Sequence, residues 1–292
     1  MEHLALTQGR HGQFLYNLHD RFVGRSLAFY GEWSESEVAL FRQILRPGDV
    51  VVEAGSNIGS HTVFLSRAVE EKGRVYAFEA ARHTHQLLCA NLALNECFNA
   101  VPMHKAVGRA AGQIEFPLFD PRQDANFGEA SVRYAQSAPH KELVELQSID
   151  ALNLDRLDFI KSDIEGYEGE MLQGAQATIS RCRPVIYLEI DCANGQPSGN
   201  RDELVSFLQA QNYVCQYYIS PMFNAENFHG QTENIMHAVS VDMICVPVEK
   251  AVVDGLTRAE VGDDAIEIAP GQLKYTALPW NQARFRYLEG SH

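Results

Sequence analysis

The sequence predicts an α/β fold: a doubly wound, mostly parallel sheet of seven strands with helices on both faces. Three observations support this prediction. Short apolar segments alternate with amphipathic segments of helical spacing, which is typical of βαβ units. Some apolar segments, such as residues 185–188, are continuous rather than alternating, as in strands that are covered on both faces. Residues 51–59 form an apolar run that ends in a glycine-containing turn and begins a helix.

The elements can be assigned in order from residue 34. Residues 34–37 have the composition of a capping box and begin a first helix, which Pro47, Gly48 and Asp49 end. Strands are then predicted near residues 51–54, 74–79, 100–107, 114–119, 143–146, 157–163, 184–190, 213–219 and 241–248. Helices are predicted near residues 58–69, 82–94, 168–179 and 201–211. Residues 1–33 show no clear pattern.

This order predicts one central domain, at residues 34–249, flanked by extensions at 1–33 and 250–292. Two connections inside the domain, at 108–147 and 221–237, are longer than ordinary loops. Long loops of this kind often carry function, so we expect them to shape the substrate pocket.

Composition restricts the possible partners. The net charge is −14 and no Lys/Arg-rich run occurs, which argues against a nucleic-acid substrate. None of the six cysteines forms a CxxC pair, so a reducing compartment is expected and a zinc site is not. We see neither a signal peptide nor an apolar run long enough to span a membrane. The chain is therefore expected to be cytoplasmic and without a membrane partner. The N-terminal segment and residues 250–292 could form the interface of a homodimer.

The glycine-containing turn predicts a nucleoside-bearing cofactor. Gly55 and Gly59 would let a ligand approach the backbone closely, and Glu79 lies twenty residues later at the end of a second apolar strand. A carboxylate at that position typically binds the ribose hydroxyls. The turn lacks the third glycine of the nicotinamide fingerprint and carries Glu53 before it. A carboxylate favours a cationic sulfonium over a pyrophosphate, so S-adenosylmethionine is preferred to NAD.

Three blocks of sequence resemble the FkbM family of methyltransferases. They are Arg46-Pro47-Gly48-Asp49-Val50 with VVEAGSNIGSHT, Leu146 to Asp150 with LDFIKSDIEGYEGEMLQGA, and Arg183-Pro184 with VIYLEID. The resemblance covers roughly residues 30–190. The chain departs from the usual family form mildly, with Glu53 for Asp and Ser56 for Ala. The resemblance implies a class I, Rossmann-like methyltransferase fold and O-methylation, often of sugars or natural products.

Candidate site residues follow from these motifs. Gly55, Asn57 and Gly59, together with Ser56, are expected to bind the methionine end of the cofactor through their backbone. Glu79 is expected to bind ribose. Glu53 is expected either to organise the turn or to face the amino-acid part of the cofactor.

The candidate catalytic residues are Asp163, Glu165 and His61. Asp163 ends a strand and would contact the cofactor or the nucleophile, and Glu165 would contact the substrate. His61 lies on the first turn after the glycines. The alternative role for the two carboxylates is to cap the next helix, and a histidine at this position is commonly just packed. Lys161, within a central strand, is expected to pair with a carboxylate such as Asp163.

Other side chains are weaker candidates. His229 and His237 could act as bases from a covering loop, and Trp33, Tyr30 and Phe127 could form an aromatic wall. Asp163, Glu165, Glu189 and Asp191 offer oxygen donors that would suit magnesium or calcium, but nothing in the sequence fixes their geometry, and no metal is expected.

We therefore predict an S-adenosylmethionine-dependent O-methyltransferase that acts on a hydroxyl of a sugar or secondary metabolite, a small-molecule or glycan substrate. The alternatives are N-methylation of a peptide or amine, a nucleotide-sugar or NAD enzyme, and a non-catalytic nucleoside-binding module.

Overall fold

A central sheet of seven strands organises the computed structural model, which describes residues 3–128, 135, 138–190, 192–193, 196–197, 201–263 and 279–289. From one edge to the other the strands are Tyr213–Pro221 (β13), Val239–Pro247 (β14), Val185–Glu189 (β10), Phe159–Ser162 (β9), Val50–Ala54 (β3), Arg74–Phe78 (β4) and Ala100–Met103 (β5). Only β14 pairs antiparallel to its neighbours in this sheet. The predicted mostly parallel sheet of seven strands is confirmed.

Strand order determines where the site forms. The chain passes from β3 outward to β4 and β5, then returns to β9 on the other side of β3. Such a reversal opens a crevice at the carboxyl ends of the strands. The register places Glu53 beside Lys161, and Ala54 beside both Phe78 and Ser162, so the residues that follow these strands share one edge.

Helices cover both faces of the sheet and bury two apolar clusters. The helices are Val23–Tyr30 (α1), Glu35–Ile44 (α2), Ser60–Val69 (α3), Arg82–Leu94 (α4), Glu168–Gln173 (α5), Gln176–Cys182 (α6) and Arg201–Ala210 (α7). One cluster includes Phe41 and Leu65, and the other includes Met171 and Leu208. Burial on both faces explains why the strands are continuously apolar. No helix in the described ranges is long and apolar enough to cross a membrane.

Three local predictions differ from the structure. Ser34 takes a left-handed conformation, and its hydroxyl donates to the Glu37 carboxylate instead of accepting a hydrogen bond from a backbone amide of the helix. The helix predicted at 168–179 is two helices, with Gly174 after the first. The strand predicted at 100–107 divides, because Ala106–Val107 (β6) pairs with a different sheet. In the second and third cases a tertiary contact overrides the local pattern, because the carbonyl of Gly174 accepts from the amide of Asp150 and β6 pairs with a distant strand.

Smaller sheets surround the central one. Leu4–Gly9 (β1) and Gly12–Asn17 (β2) form an N-terminal hairpin. Gly112–Pro117 (β7) and Lys141–Gln147 (β8) join β6 in a three-stranded sheet within the long connection. Cys192–Ala193 (β11) pairs with Gln196–Pro197 (β12), and Ala251–Asp254 (β15) pairs with Arg284–Tyr287 (β16). Short 3-10 turns occur at Asp150–Leu152 and Pro279–Gln282.

The N-terminal segment packs against the two long connections. Glu32 accepts hydrogen bonds from Arg10 Nε at 2.7 Å, from Asn224 Nδ2 at 2.9 Å and from the amide of Phe228 at 2.9 Å. A β-bridge joins Asp20 to Ala125. The N-terminal segment is therefore bound to both long connections, while the division of the chain into a domain and two extensions stays a prediction.

Candidate active site

The turn after β3 packs directly against the backbone of the turn after β9. Gly55 has a φ of +80°, and a Cβ atom at this position would lie 1.8 Å from the carbonyl oxygen of Asp163. Only glycine permits this approach. Asn57 is also left-handed, and its side-chain oxygen accepts from the amide of Ile58 at 2.7 Å. Gly59, with a φ of +87°, precedes helix α3. The turn is thus fixed before any ligand binds.

Glu79 links this turn to the turn after β4. Its Oε2 accepts from the amide of Asn57 at 2.9 Å, and its Oε1 accepts from the amide of Ala81 at 2.7 Å. Burial raises its pKa to about 7, against the lowering effect of these two amides. Each carboxylate oxygen has a second lone pair, so Glu79 can still accept from a ribose.

Glu53 lies at the base of the same cavity and is fully buried. Its Oε2 accepts from Thr62 Oγ1 at 2.6 Å, whereas its Oε1 has no hydrogen-bond partner among the described residues. Burial raises its pKa to about 7, although Lys161 opposes this shift. A buried acceptor without a donor is costly, so this oxygen suits a cationic or N–H-bearing ligand. The ammonium of S-adenosylmethionine meets that requirement, and the cofactor therefore fits the residues present.

Lys161 is the cation at the centre of the site. Its side chain is 3% exposed, and its Nζ lies 2.9 Å from Asp163 Oδ2, as predicted. Burial alone would lower its pKa, but Asp163, Glu37 and Glu53 raise it. Burial alone would likewise raise the pKa of Asp163, yet Lys161 holds it below the ordinary value. The pair is therefore ionised.

One cavity joins these groups. Its volume is about 440 Å³, within the about 300–1,000 Å³ that is typical of ligand pockets. It is lined by the turn after β3, by Glu79 and by Phe127 and Gly128 of the long connection. Carboxylates and apolar side chains also line it, and we call the part that they form the acidic side: Glu37, Asp163, Glu165, Glu189, Trp33, Met222, Val239 and Val241.

His61 also lines the cavity, from the first turn of α3, and is 3% exposed. Its ring meets that of Phe41 edge to face, with 5.7 Å between the centroids. Burial lowers its pKa to about 3, and Lys161 adds to this effect. The imidazole is therefore neutral.

Three carboxylates come together at the edge of the acidic side. Oxygens of Asp163, Glu165 and Glu189 lie within 4.8 Å of one another. Glu165 has a φ of +53°, and the turn continues through Gly166 at +87°. Burial raises the pKa of Glu189 well above its ordinary value, and Asp163 adds to this shift. Asp191, a fourth candidate, lies outside the described residues.

Nearly all predicted site residues with a described position line the cavity or belong to the turn after β3. The exceptions are the two loop histidines, His229 and His237, and Tyr30. His229 instead contacts the carbonyls of Gln8 and Phe29, at 3.0 and 3.3 Å, and so fastens the loop to the N-terminal segment. The Tyr30 hydroxyl donates to the carbonyl of Glu233. The carboxylate of Glu168, the first residue of α5, accepts from the amide of Ile164 at 3.0 Å. The helix-capping role of Asp163 and Glu165 stays a prediction.

Sequence reasoning missed Glu37. Its position in α2 reads as part of a capping box, but the side chain is 6% exposed and lines the cavity, with its pKa raised to about 7 by burial. Its acidic role could have been suspected only from Lys161, which needs more than one carboxylate partner in a buried strand.

Comparison with known proteins identifies relatives of this chain. The sequence model of the methyltransferase FkbM domain matches residues 53–215, more than half of the chain. Methyltransferase sdnD of Sordaria araneosa is 25% identical over an alignment that covers 56% of this chain and 73% of that protein. Hexuronic acid methyltransferase AglP of Haloferax volcanii is 28% identical over 47% of this chain and 54% of that protein, so only about half of its length is matched.

A solved structure resembles the fold. Methyltransferase FkbM from Methylobacillus flagellatus superposes with a TM-score of 0.44 and 18% identity, covering 70% of this chain and 50% of that one.

Proposed function

Since this chain belongs to the FkbM family of S-adenosylmethionine-dependent methyltransferases, we propose that it transfers the methyl group to a hydroxyl of a sugar or a secondary metabolite. The cofactor supplies a methyl group on a positively charged sulfur. The protein has to bind it, place the hydroxyl in line with it and accept the hydroxyl proton.

The observation that carries this proposal is that one cavity is lined by two kinds of residue. Gly55, Asn57 and Glu79, which follow β3 and β4, form the part that fits a nucleoside. Asp163, Glu165 and Glu189, which end or follow β9 and β10, line the same cavity and offer acceptors to hydroxyl groups. A polyhydroxylated acceptor bound there would present an oxygen towards the cofactor. The name of AglP, a hexuronic acid methyltransferase, supports the sugar class.

Calorimetry tests the binding of the cofactor. S-adenosylmethionine and S-adenosylhomocysteine should bind with a stoichiometry of one per chain, whereas NAD should give no heat of binding. Saturable binding of NAD with no binding of S-adenosylhomocysteine would overturn the cofactor assignment.

An assay of methyl transfer tests the class of acceptor. The protein is incubated with radiolabelled S-adenosylmethionine and a panel of glycosides, polyols and phenols, and the products are identified by mass spectrometry. We expect a methyl ether. An inactive panel with a cofactor that binds would instead favour the non-catalytic binding module.

N-methylation of an amine is the second candidate, because the carboxylates of the acidic side would also attract an ammonium group. Primary and secondary amines therefore belong in the same panel. Label in an N-methyl product without label in any ether would replace O-methylation by this alternative.

A further inference from the structure

We propose that the acceptor extends from the cavity into a neighbouring pocket, where two arginines bind an anionic group on the unit next to the methylated one. The inference rests on the proposed function, because it names a further feature of the acceptor. A carboxylate and a phosphate share the required chemistry, since both present a pair of oxygens that a guanidinium binds.

This second pocket has a volume of about 510 Å³ and shares Phe22 with the cavity. The same three segments of chain line both spaces, namely the N-terminal segment and the two long connections. They contribute residues 22–23, 126–128 and 222 to the cavity, and residues 18–22, 24–25, 124 and 235–236 to the second pocket. An acceptor that occupies the cavity can therefore continue into the second pocket along these segments.

Hydrogen bonds hold the three segments together. The amide of Arg21 donates to the carbonyl of Ala125 at 3.0 Å, and the amide of Ala125 donates to the carbonyl of His19 at 3.1 Å. The hydroxyl of Tyr30 accepts from the amide of Ile235 at 2.7 Å, which binds the second long connection to α1. The second pocket is therefore formed by the protein itself, before any ligand is present.

The lining of the second pocket combines apolar and cationic side chains. Its guanidinium groups, those of Arg21 and Arg25, are exposed and therefore accessible to a ligand. Beside them lie apolar side chains that are buried or half-buried: Tyr16, Phe22, Ile235 and Met236. Such a surface fits the apolar face of a sugar ring that carries an anionic substituent.

The positive charge of the second pocket is only partly neutralised. Arg25 has no ion-pair partner in the part of the chain that the structure describes. Asp124 Oδ1 lies 2.7 Å from His19 Nδ1, whereas its Oδ2 lies 3.9 Å from Arg21 Nη2. Asp124 thus pairs closely with His19 and only distantly with Arg21. An anion in the pocket would gain two guanidinium partners.

Asp20 is the other carboxylate in the lining, but it does not compete for the arginines. It is 4% exposed, and its two oxygens accept from the amides of Phe22 at 3.0 Å and Gly24 at 2.8 Å. These bonds engage its charge with the backbone at the start of α1. The exposed guanidinium groups therefore remain available to a ligand.

The carboxylates of the cavity determine which unit of the acceptor carries the anion. Asp163 and Glu165 line the cavity and would repel an anionic group on the methylated unit. Arg21 and Arg25 line only the second pocket. We therefore expect a neutral reacting unit joined to an anionic neighbour, as in an acidic oligosaccharide or a phosphorylated glycan.

Nitrogen NMR tests the anion site without any acceptor. Protein labelled with ¹⁵N-arginine, in its complex with S-adenosylhomocysteine, is titrated with sodium phosphate at constant pH and ionic strength. The Nε–H signal of Arg25, assigned by its loss in Arg25→Gln, should shift and saturate. Arg286, an exposed arginine outside the pocket, is the control. No saturable shift of Arg25, or the same shift of both arginines, would overturn the proposal.

Kinetics test the effect of the anion on methyl transfer. The acceptors compared share the methylated unit and carry a neutral hexose, a hexose phosphate or a hexuronate next to it. One anionic acceptor should have a kcat/KM at least about fivefold above that of the neutral one, the upper end for an exposed ion pair. Which one does so distinguishes phosphate from carboxylate.

Variants locate this preference in the second pocket. Arg25→Gln and Arg21→Gln should each reduce it and the double variant should abolish it, whereas Arg286→Gln should preserve it. Equal kcat/KM for neutral and anionic acceptors, or a preference that survives in the double variant, would refute the anion site and leave the methyltransferase function intact. Without an active acceptor the NMR result decides. Failure of the wild type to bind S-adenosylhomocysteine would instead count against the proposed function.

Discussion

The carboxylate of Glu79 accepts a hydrogen bond from the amide of Asn57, with 2.9 Å between Oε2 and the nitrogen. This bond connects the end of β4 to the turn after β3, twenty-two residues earlier in the chain. Glu79, the proposed partner of the ribose, and the glycine turn therefore form one unit before the cofactor arrives, so a change in Glu79 affects both.

Glu79→Ala should weaken the binding of S-adenosylhomocysteine by about 1.5–3 kcal/mol, the scale for hydrogen bonds to a charged group. Calorimetry measures the change in Kd, and Glu71→Ala, at an exposed position, is the control. An affinity equal to that of the wild type would remove Glu79 from the cofactor site.

Gly55→Ala should destabilise the fold strongly. The new Cβ would lie 1.8 Å from the Asp163 carbonyl, in addition to the penalty of the left-handed conformation. Gly48 has a φ of +91° with no atom within 4 Å of its Cβ position, so Gly48→Ala measures that penalty alone. Urea denaturation should show a loss of about 1–2 kcal/mol for Gly48→Ala and a larger one for Gly55→Ala. Equal losses would mean that the two turns can separate.

The ionisation of Glu53 should make its contribution to stability depend on pH. Its pKa in the folded protein is raised to about 7 from an ordinary 4.5, so its stabilising effect is complete below about pH 4.5 and is lost as the pH rises through 7. Glu53→Gln, which stays neutral, should therefore gain stability relative to the wild type between pH 5 and pH 8, by up to about 3 kcal/mol.

The comparison between these two proteins isolates Glu53. Burial also raises the pKa values of Glu37 and Glu79 and lowers that of His61. These three residues are present in the wild type and in Glu53→Gln alike. A difference in unfolding free energy that is constant from pH 5 to pH 8 would contradict the buried position of this carboxyl.

The acidic side of the cavity should exclude anionic acceptors. Asp163 and Glu165 line it, and Glu37, whose pKa burial raises to about 7, ionises there above that pH. Two lysines also line the cavity, but Lys161 is bound to Asp163 and Lys105 to Glu145. A neutral hexoside should therefore be methylated with a KM at least about tenfold lower than that of the matching uronate, because close like charges cost more than 1 kcal/mol. Preference for the uronate would place a cation at this side of the cavity.

The sequence by itself determined the class of fold and the position of the cofactor turn. Gly55, Gly59 and Glu79 carry their information locally, because a left-handed turn favours glycine and a carboxylate at the end of the second strand is typical of nucleoside-binding sheets. The alternation of apolar strands and helices likewise reflects burial on both faces of the sheet, which acts on each segment separately. The pairing of Lys161 with Asp163 follows from their alternation on one strand.

Only the tertiary structure decided what surrounds the acceptor. Glu37 arrives from α2, Trp33 from the N-terminal segment and Phe127 from the long connection, and no spacing in the sequence relates these positions. The neutral state of His61 depends on its burial, which is a property of the packed molecule. The local sequence pattern reflects which side chains of each segment are buried. The chemistry of a pocket depends instead on which distant segments pack together.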